Sequence, residues 1–139
     1  MNIKLLIIED DPVREERLRS WLRHGFSAVT AASAGRAIGI LKRDRGSVYS
    51  GIVLDHDLEK RIATEADCTL NGNDVVDAII IHVAKDVPIL VHSVNLSQAP
   101  VMVARLDRAG FTVERIPMDV LTRKAFGDWL EYVRENSEV

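Results

Sequence analysis

Ile3-Lys4-Leu5-Leu6-Ile7-Ile8-Glu9-Asp10-Asp11-Pro12 is the stretch on which the fold turns. A short, almost continuously apolar run stops abruptly at three acids and a proline. Such a run reads as a strand buried on both faces, as in a parallel sheet, followed at once by a helix start. Asp11 can cap that helix, with Pro12 at its first position, where a missing N–H costs nothing. From there Val13, Leu18, Trp21 and Leu22 approximate a helical stripe. Arg14, Glu15, Glu16, Arg19 and Arg23 take the other side and read as a solvated face.

Working outward, the same unit recurs along the chain. Ala28 to Ala32 is a weak second strand, Ser33 a cap, and Ala34, Ala37, Ile38 and Leu41 the stripe of a second helix. Ile52-Val53-Leu54 is a third strand ending at Asp55, and Val75, Val76, Ile79, Ile80 and Val83 mark a third helix. Pro88-Ile89-Leu90-Val91 is a fourth strand, after which Ser97 opens a helix carrying Val101, Leu106 and Met102. Phe111 to Arg115 is a fifth strand, and Thr122 caps a last helix with Phe126, Trp129, Leu130 and Val133 inward. Parallel neighbours need crossover connections, and those crossovers are right-handed. The expected fold is therefore α/β: a three-layer, doubly wound, five-stranded parallel sheet in the order 2-1-3-4-5. In such sheets ligands sit beyond the carboxyl ends of the strands, where the strand order reverses.

The bulk properties set bounds on this reading. With 139 residues, 47% hydrophobic and 28% charged, the chain is expected to be a single domain spanning residues 1–139. A net charge of -3 offers no field to gather a polyanion, so direct nucleic-acid binding has no electrostatic support. The lone Cys68 has no intramolecular disulfide partner, and no stretch approaches the roughly 20 apolar residues of a membrane span. A cytoplasmic protein without a membrane role is the expectation. The long polar stretch from Leu58 to Asn73 has the length at which loops are functional or disordered, and it reads as mobile without ligand.

Polar chemistry is concentrated where the fold places a ligand. Strand one ends in Glu9-Asp10, strand three in Asp55-His56-Asp57, strand four in His92-Ser93 with Asn95 close behind, and strand five in Arg115-Ile116-Pro117. Carboxylates converging on one crevice repel one another unless a cation lies between them or one holds a proton. Glu9, Asp10 and Asp55 are thus the expected ligands of Mg²⁺ or Mn²⁺, hard ions suited to oxygen donors and water.

Ile7-Ile8-Glu9-Asp10-Asp11-Pro12, Ile52-Val53-Leu54-Asp55 and Pro88-Ile89-Leu90-Val91-His92-Ser93 together resemble, in order, the pocket signatures of response-regulator receiver domains, which have a flavodoxin-like fold. The resemblance implies that the acidic pair holds Mg²⁺, that Asp55 accepts a phosphoryl group, and that the Ser93 hydroxyl binds a phosphoryl oxygen. The chain departs from that pattern twice. Receivers carry a lysine before the proline that ends strand five, where this chain has Ile116, and an aromatic switch residue on strand five, where it has Val113. Arg115 is the nearby cation, which strand alternation can point away. Asp55-His56-Asp57-Leu58, Asn71-Gly72-Asn73-Asp74, and Val91-His92-Ser93-Val94-Asn95 followed by Met102 further resemble a divergent receiver-like group proposed to process cyclic phosphates. That resemblance adds His56 and His92 as catalytic groups able to exchange protons near neutral pH, and Asn95 beside Ser93 as a phosphate ligand.

Each signal has a bland reading. Glu9 to Asp11 can simply cap a helix, His56 can be a surface loop histidine, and His92 can satisfy a backbone group. Ser93 and Asn95 can be turn and cap residues. His24, His82 and Cys68 read as structural or inert, and Lys60 and Arg61 as solvated. Two functions follow. One is a metal-dependent phosphoesterase acting on a cyclic phosphate or related ester, favoured by the missing lysine and aromatic residue. The alternative is a phosphorelay module, phosphorylated on Asp55 by a kinase phosphodonor and signalling through a partner protein.

Overall fold

The computed structural model describes residues 2–55 and 71–137. His56, Asp57, Lys60, Arg61 and Cys68, and most of the long polar connection, lie outside the described residues. Strands β1 (Ile3–Ile8), β2 (Phe26–Ala31), β3 (Gly51–Leu54), β4 (Ile89–Val91) and β5 (Val113–Arg115) alternate with helices α1 (Pro12–Ser20), α2 (Ala34–Arg43), α3 (Gly72–His82), α4 (Ala99–Arg108) and α5 (Arg123–Ser137). The strands form one sheet in the order β2-β1-β3-β4-β5, with every pairing parallel. The doubly wound architecture expected from the sequence is the one observed.

Strand alternation divides the core into two layers. Leu6, Ile8, Ile52, Leu54, Ile89 and Val91 face one side of the sheet, where they pack with Leu41, Val75, Ile79, Met102 and Leu106 from α2, α3 and α4. Ile3, Leu5, Ile7, Val53 and Leu90 face the other, against Leu18 of α1 and Phe126, Trp129, Leu130 and Val133 of α5. The central strands bury both faces, which is why they read as apolar runs, broken only by the exposed Lys4 near the start of β1.

Local signals place the helix starts. The Asp11 carboxylate accepts N–H bonds from Val13 and Arg14, and Pro12 begins α1. Ser33 caps α2, and Thr122 Oγ1 accepts from Ala125 N. Asn71 and Asp74 form a reciprocal capping box at α3, giving the Asn71-Gly72-Asn73-Asp74 segment a structural role.

Several details differ from the sequence expectation. Val13 and Val101 face solvent, at 66% and 46% exposure, so α1 buries Leu18 fully and leaves Trp21 and Leu22 half-buried. The second strand is Phe26–Ala31, and the fifth begins only at Val113. Ser97 does not open α4. It lies in the turn before it, where Asn95 Oδ1 accepts from Ser97 N and Gln98 N, and α4 begins at Ala99.

Gly51 opens β3 because nothing larger fits. A Cβ there would stand 3.0 Å from side-chain atoms of both Leu5 and Trp129 and 3.2 Å from Val133. Gly51→Ala is expected to cost about 1 to 3 kcal/mol through overpacking, read as a lower midpoint in urea at unchanged slope. An unaltered midpoint would contradict the tight packing of α5 on β3.

Candidate functional site

Register brings the site together. Ile8 pairs with Leu54 and Leu54 with Val91, so Glu9, Asp55 and His92 are the next rank beyond the three central strand ends. Backbone bonds continue the ladder by one residue: Asp55 N donates to Ile8 O at 3.0 Å, and His92 N to Leu54 O at 3.0 Å. By alternation, Glu9 follows Ile7, Asp55 follows Val53 and His92 follows Leu90, all on the α1/α5 face. One atom from each of Glu9, Asp55 and His92 lies within 4.8 Å of the others, and all three residues are buried.

His92 Nε2 lies 2.8 Å from Glu9 Oε1, with both side chains wholly buried. A contact that short needs one proton between the two atoms. Burial pushes Glu9 up to about 7 against the lowering effect of the Asp11 N–H and of Arg14. Burial also pushes Asp55 up to about 7 and His92 down to about 4. Desolvation thus dominates at each of the three groups, and a cation placed among them would relieve it. The donor set, with carboxylate oxygens from two strands and an imidazole nitrogen, fits a divalent metal. Asp10, expected in the ligand set with Glu9 and Asp55, is buried next to Glu9 with Oδ1 3.9 Å from Arg14 Nη2, while His92 is the third residue of the converging group.

Arg14, expected on the solvated face of α1, instead turns into the pocket with its side chain 18% exposed. Its Nε stands 3.2 Å from Glu9 Oε1 and 3.7 Å from Asp11 Oδ2. Its Nη2 stands 3.5 Å from Asp55 Oδ2 and 3.9 Å from Asp10 Oδ1. One signal was available in the sequence: a cation in the first turn of a helix opposes the macrodipole, so nearby acids must compensate it.

Ser93 is fully buried at the end of β4, where its Oγ accepts from Asn95 N at 3.1 Å and its O–H is left to donate. Asn95 Oδ1 is engaged by the turn before α4, where it accepts from Ser97 N, Ser97 Oγ and Gln98 N. Arg115 does not fill the place of the absent lysine. It shares the strand face of Val113, which packs on the opposite layer, and its Nη2 donates to the Ser93 carbonyl at 3.3 Å. Ile116 occupies the site-facing position and packs with the α1/α5 core. A cavity of about 280 Å³ lined by Glu9, Asp10, Pro12, Glu15, Thr30 and Ala32 opens beside the acids.

No protein-family model and no curated protein matches the chain. Solved structures do. The response regulator domain of Thermotoga maritima CheB is 15% identical at a TM-score of 0.68, covering 100% of this chain and 98% of that one. A response regulator receiver protein from Pseudomonas putida is 20% identical at 0.66, covering 97% and 98%. The receiver domain of a Pseudomonas aeruginosa sensor histidine kinase, with a magnesium ion coordinated in its active-site cleft, is 20% identical at 0.65, covering 97% of each chain. This chain is similar to all three in fold. Among its described residues, no helix is long and apolar enough to cross a membrane.

Proposed function

We propose that this chain is a receiver-type phosphate-handling module that takes a phosphoryl group on Asp55 and signals through a partner protein in the cytoplasm. The observation that carries this reading is the buried rank of Glu9 and Asp55 at the ends of adjacent central strands, where the strand order reverses. The magnesium in the cleft of the similar Pseudomonas aeruginosa receiver domain supports it.

Glu9, Asp10 and Asp55 would hold Mg²⁺ or Mn²⁺, which when bound neutralises charge that develops on the transferring group. An Asp55 carboxylate oxygen attacks phosphorus, the bond from phosphorus to the donor atom breaks, and the donor leaves with that electron pair, as acetate when acetyl phosphate is the donor. The product is an acyl phosphate on Asp55. Burial holds Asp55 near 7 even with Arg14 beside it, so about half of the nucleophile is ionised at neutral pH, and a bound metal would raise that fraction. The Ser93 hydroxyl is available to donate to a phosphoryl oxygen.

Incubation with acetyl phosphate and Mg²⁺, followed by intact mass, tests this reading. One added phosphoryl group mapping to Asp55 is expected, and a chain that stays unlabelled under conditions that label an authentic receiver would sink it. Mg²⁺ should also raise the melting temperature of the wild type by mass-action linkage, and raise that of Asp10→Ala much less. Equal shifts in both would remove Asp10 from the ligand set.

The contact between His92 and Glu9 favours a second reading: hydrolysis of a cyclic phosphate or related phosphoester in the same pocket. That chemistry needs a water or ester oxygen to exchange a proton, which the imidazole could do, and the cavity beside the acids offers room for the rest of the ester. His56, the other imidazole expected to take part, lies outside the described residues.

A further inference from the structure

We propose that Arg14 is a tethered cation holding the place of the metal in the unliganded pocket, so that Arg14 and a divalent ion exclude one another there. The inference rests on the metal-and-phosphate reading above and adds to it a residue that sets metal affinity. Its basis is position. One guanidinium lies within 3.2 to 3.9 Å of carboxylate oxygens of Glu9, Asp10, Asp11 and Asp55. The Glu9 oxygen that Arg14 Nε approaches, Oε1, is also the one that meets His92 Nε2, so the guanidinium stands against the group of Glu9, Asp55 and His92 whose donor atoms converge.

Two further facts make the placement specific. Arg14 stands in the first turn of α1, where a cation is disfavoured by the helix dipole and persists only for a local gain. The site-facing position at the end of β5 is occupied by apolar Ile116, and Arg115 is turned to the Ser93 carbonyl. Among the described residues, Arg14 is therefore the cationic side chain that reaches the acids. A divalent ion bound at the usual oxygen distance of about 2.0 to 2.6 Å would stand beside a guanidinium fixed on the same oxygens, and two cations so placed repel. Entry of the metal requires Arg14 to swing outward along the exposed edge of α1. From there its planar fork can reach the equatorial oxygens of a phosphoryl group on Asp55.

Linkage makes this measurable, because a competitor that occupies the site lowers apparent affinity and its removal restores it. Mn²⁺ is the probe, titrated calorimetrically into the wild type, Arg14→Met and Arg14→Lys. Arg14→Met, which keeps most of the stem, is expected to bind Mn²⁺ at least about tenfold more tightly, with Arg14→Lys in between. In the wild type, the Arg14 Nε–H resonance should shift as Mg²⁺ is added, a readout that remains if Arg14→Met folds poorly. Equal or weaker Mn²⁺ binding by a folded Arg14→Met, or an Arg14 resonance indifferent to saturating Mg²⁺, would overturn the inference alone. Absence of Mn²⁺ binding in all three proteins would overturn the metal-pocket reading and the inference with it.

Discussion

Asp55→Asn is expected to abolish labelling by acetyl phosphate completely and, in the absence of metal, to yield a protein more stable than the wild type above pH 7. The first effect is loss of the nucleophile. The second follows from burial. Asp55 is 1% exposed, and its carboxyl is raised from 3.8 to about 7. Between those values the folded protein keeps a proton that the unfolded chain has released, so this group's contribution to stability falls as pH rises through the window and is lowest above it. Removing the charge removes that loss, and because the raised value already includes the attraction to Arg14, the gain at pH 8 is on the order of a few kcal/mol. Glu9, raised for the same reason, adds to the slope, while His92, lowered to about 4, opposes it below about pH 6.5. Urea unfolding in a chelator at pH 5 and pH 8 gives the comparison: the advantage of Asp55→Asn is expected to grow between the two, because most of the window from 3.8 to about 7 lies above pH 5. A variant less stable than the wild type at pH 8 would mean that the carboxylate is already fully compensated.

The sheet was legible because its central strands are buried on both faces, so Ile52 to Leu54 and Ile89 to Val91 carry their signal in every residue, and Ile3 to Ile8 in all but the exposed Lys4. The outer strands were read less well. β2 is half-buried along most of its length, and β5 has only three residues, so neither shows a run that marks its ends. Glu9, Asp55 and His92 were legible as single positions because each stands one residue past an apolar run. Their meeting follows from register, which no single strand contains.

Arg14 was misread for a different reason. Helical periodicity sorts residues by their neighbours on the helix, and on that basis Arg14 belongs with Glu15 and Arg19, which pair with each other on the surface. Periodicity carries no information about carboxylates that precede the helix, yet Glu9 and Asp10 decide where the guanidinium goes. Val13, apolar and assigned inward, is exposed, and Leu18 is the residue through which α1 packs into the core. Asn95 shows a residue with two ends: its Oδ1 accepts from the turn that leads into α4, while a phosphate would be met by the Nδ2 donor.

His92→Ala separates the two functions and carries the largest kinetic effect after loss of the nucleophile. His92 is buried, holds Glu9 through Nε2 and stands in the same rank as Asp55. Burial keeps it neutral above about pH 4, so a proton taken up from water or an ester oxygen makes it a cation, which the Glu9 carboxylate 2.8 Å from Nε2 is placed to compensate. If the pocket hydrolyses a cyclic phosphate, His92→Ala should lose about 10² to 10⁴ in turnover, the usual worth of a positioned acid or base, while Mn²⁺ still binds through the carboxylates. If the pocket serves only as a phosphoacceptor, the same variant should be labelled on Asp55 to nearly the wild-type yield, because attack by a carboxylate requires no proton transfer from the imidazole. The two assays are run side by side on one preparation, with thermal unfolding to show that loss of the buried ring leaves the fold intact. Phosphate release from a cyclic phosphate that vanishes in His92→Ala would establish the enzyme. Clean Asp55 labelling in both proteins, with no hydrolysis by the wild type, would leave the signalling module as the function of this site.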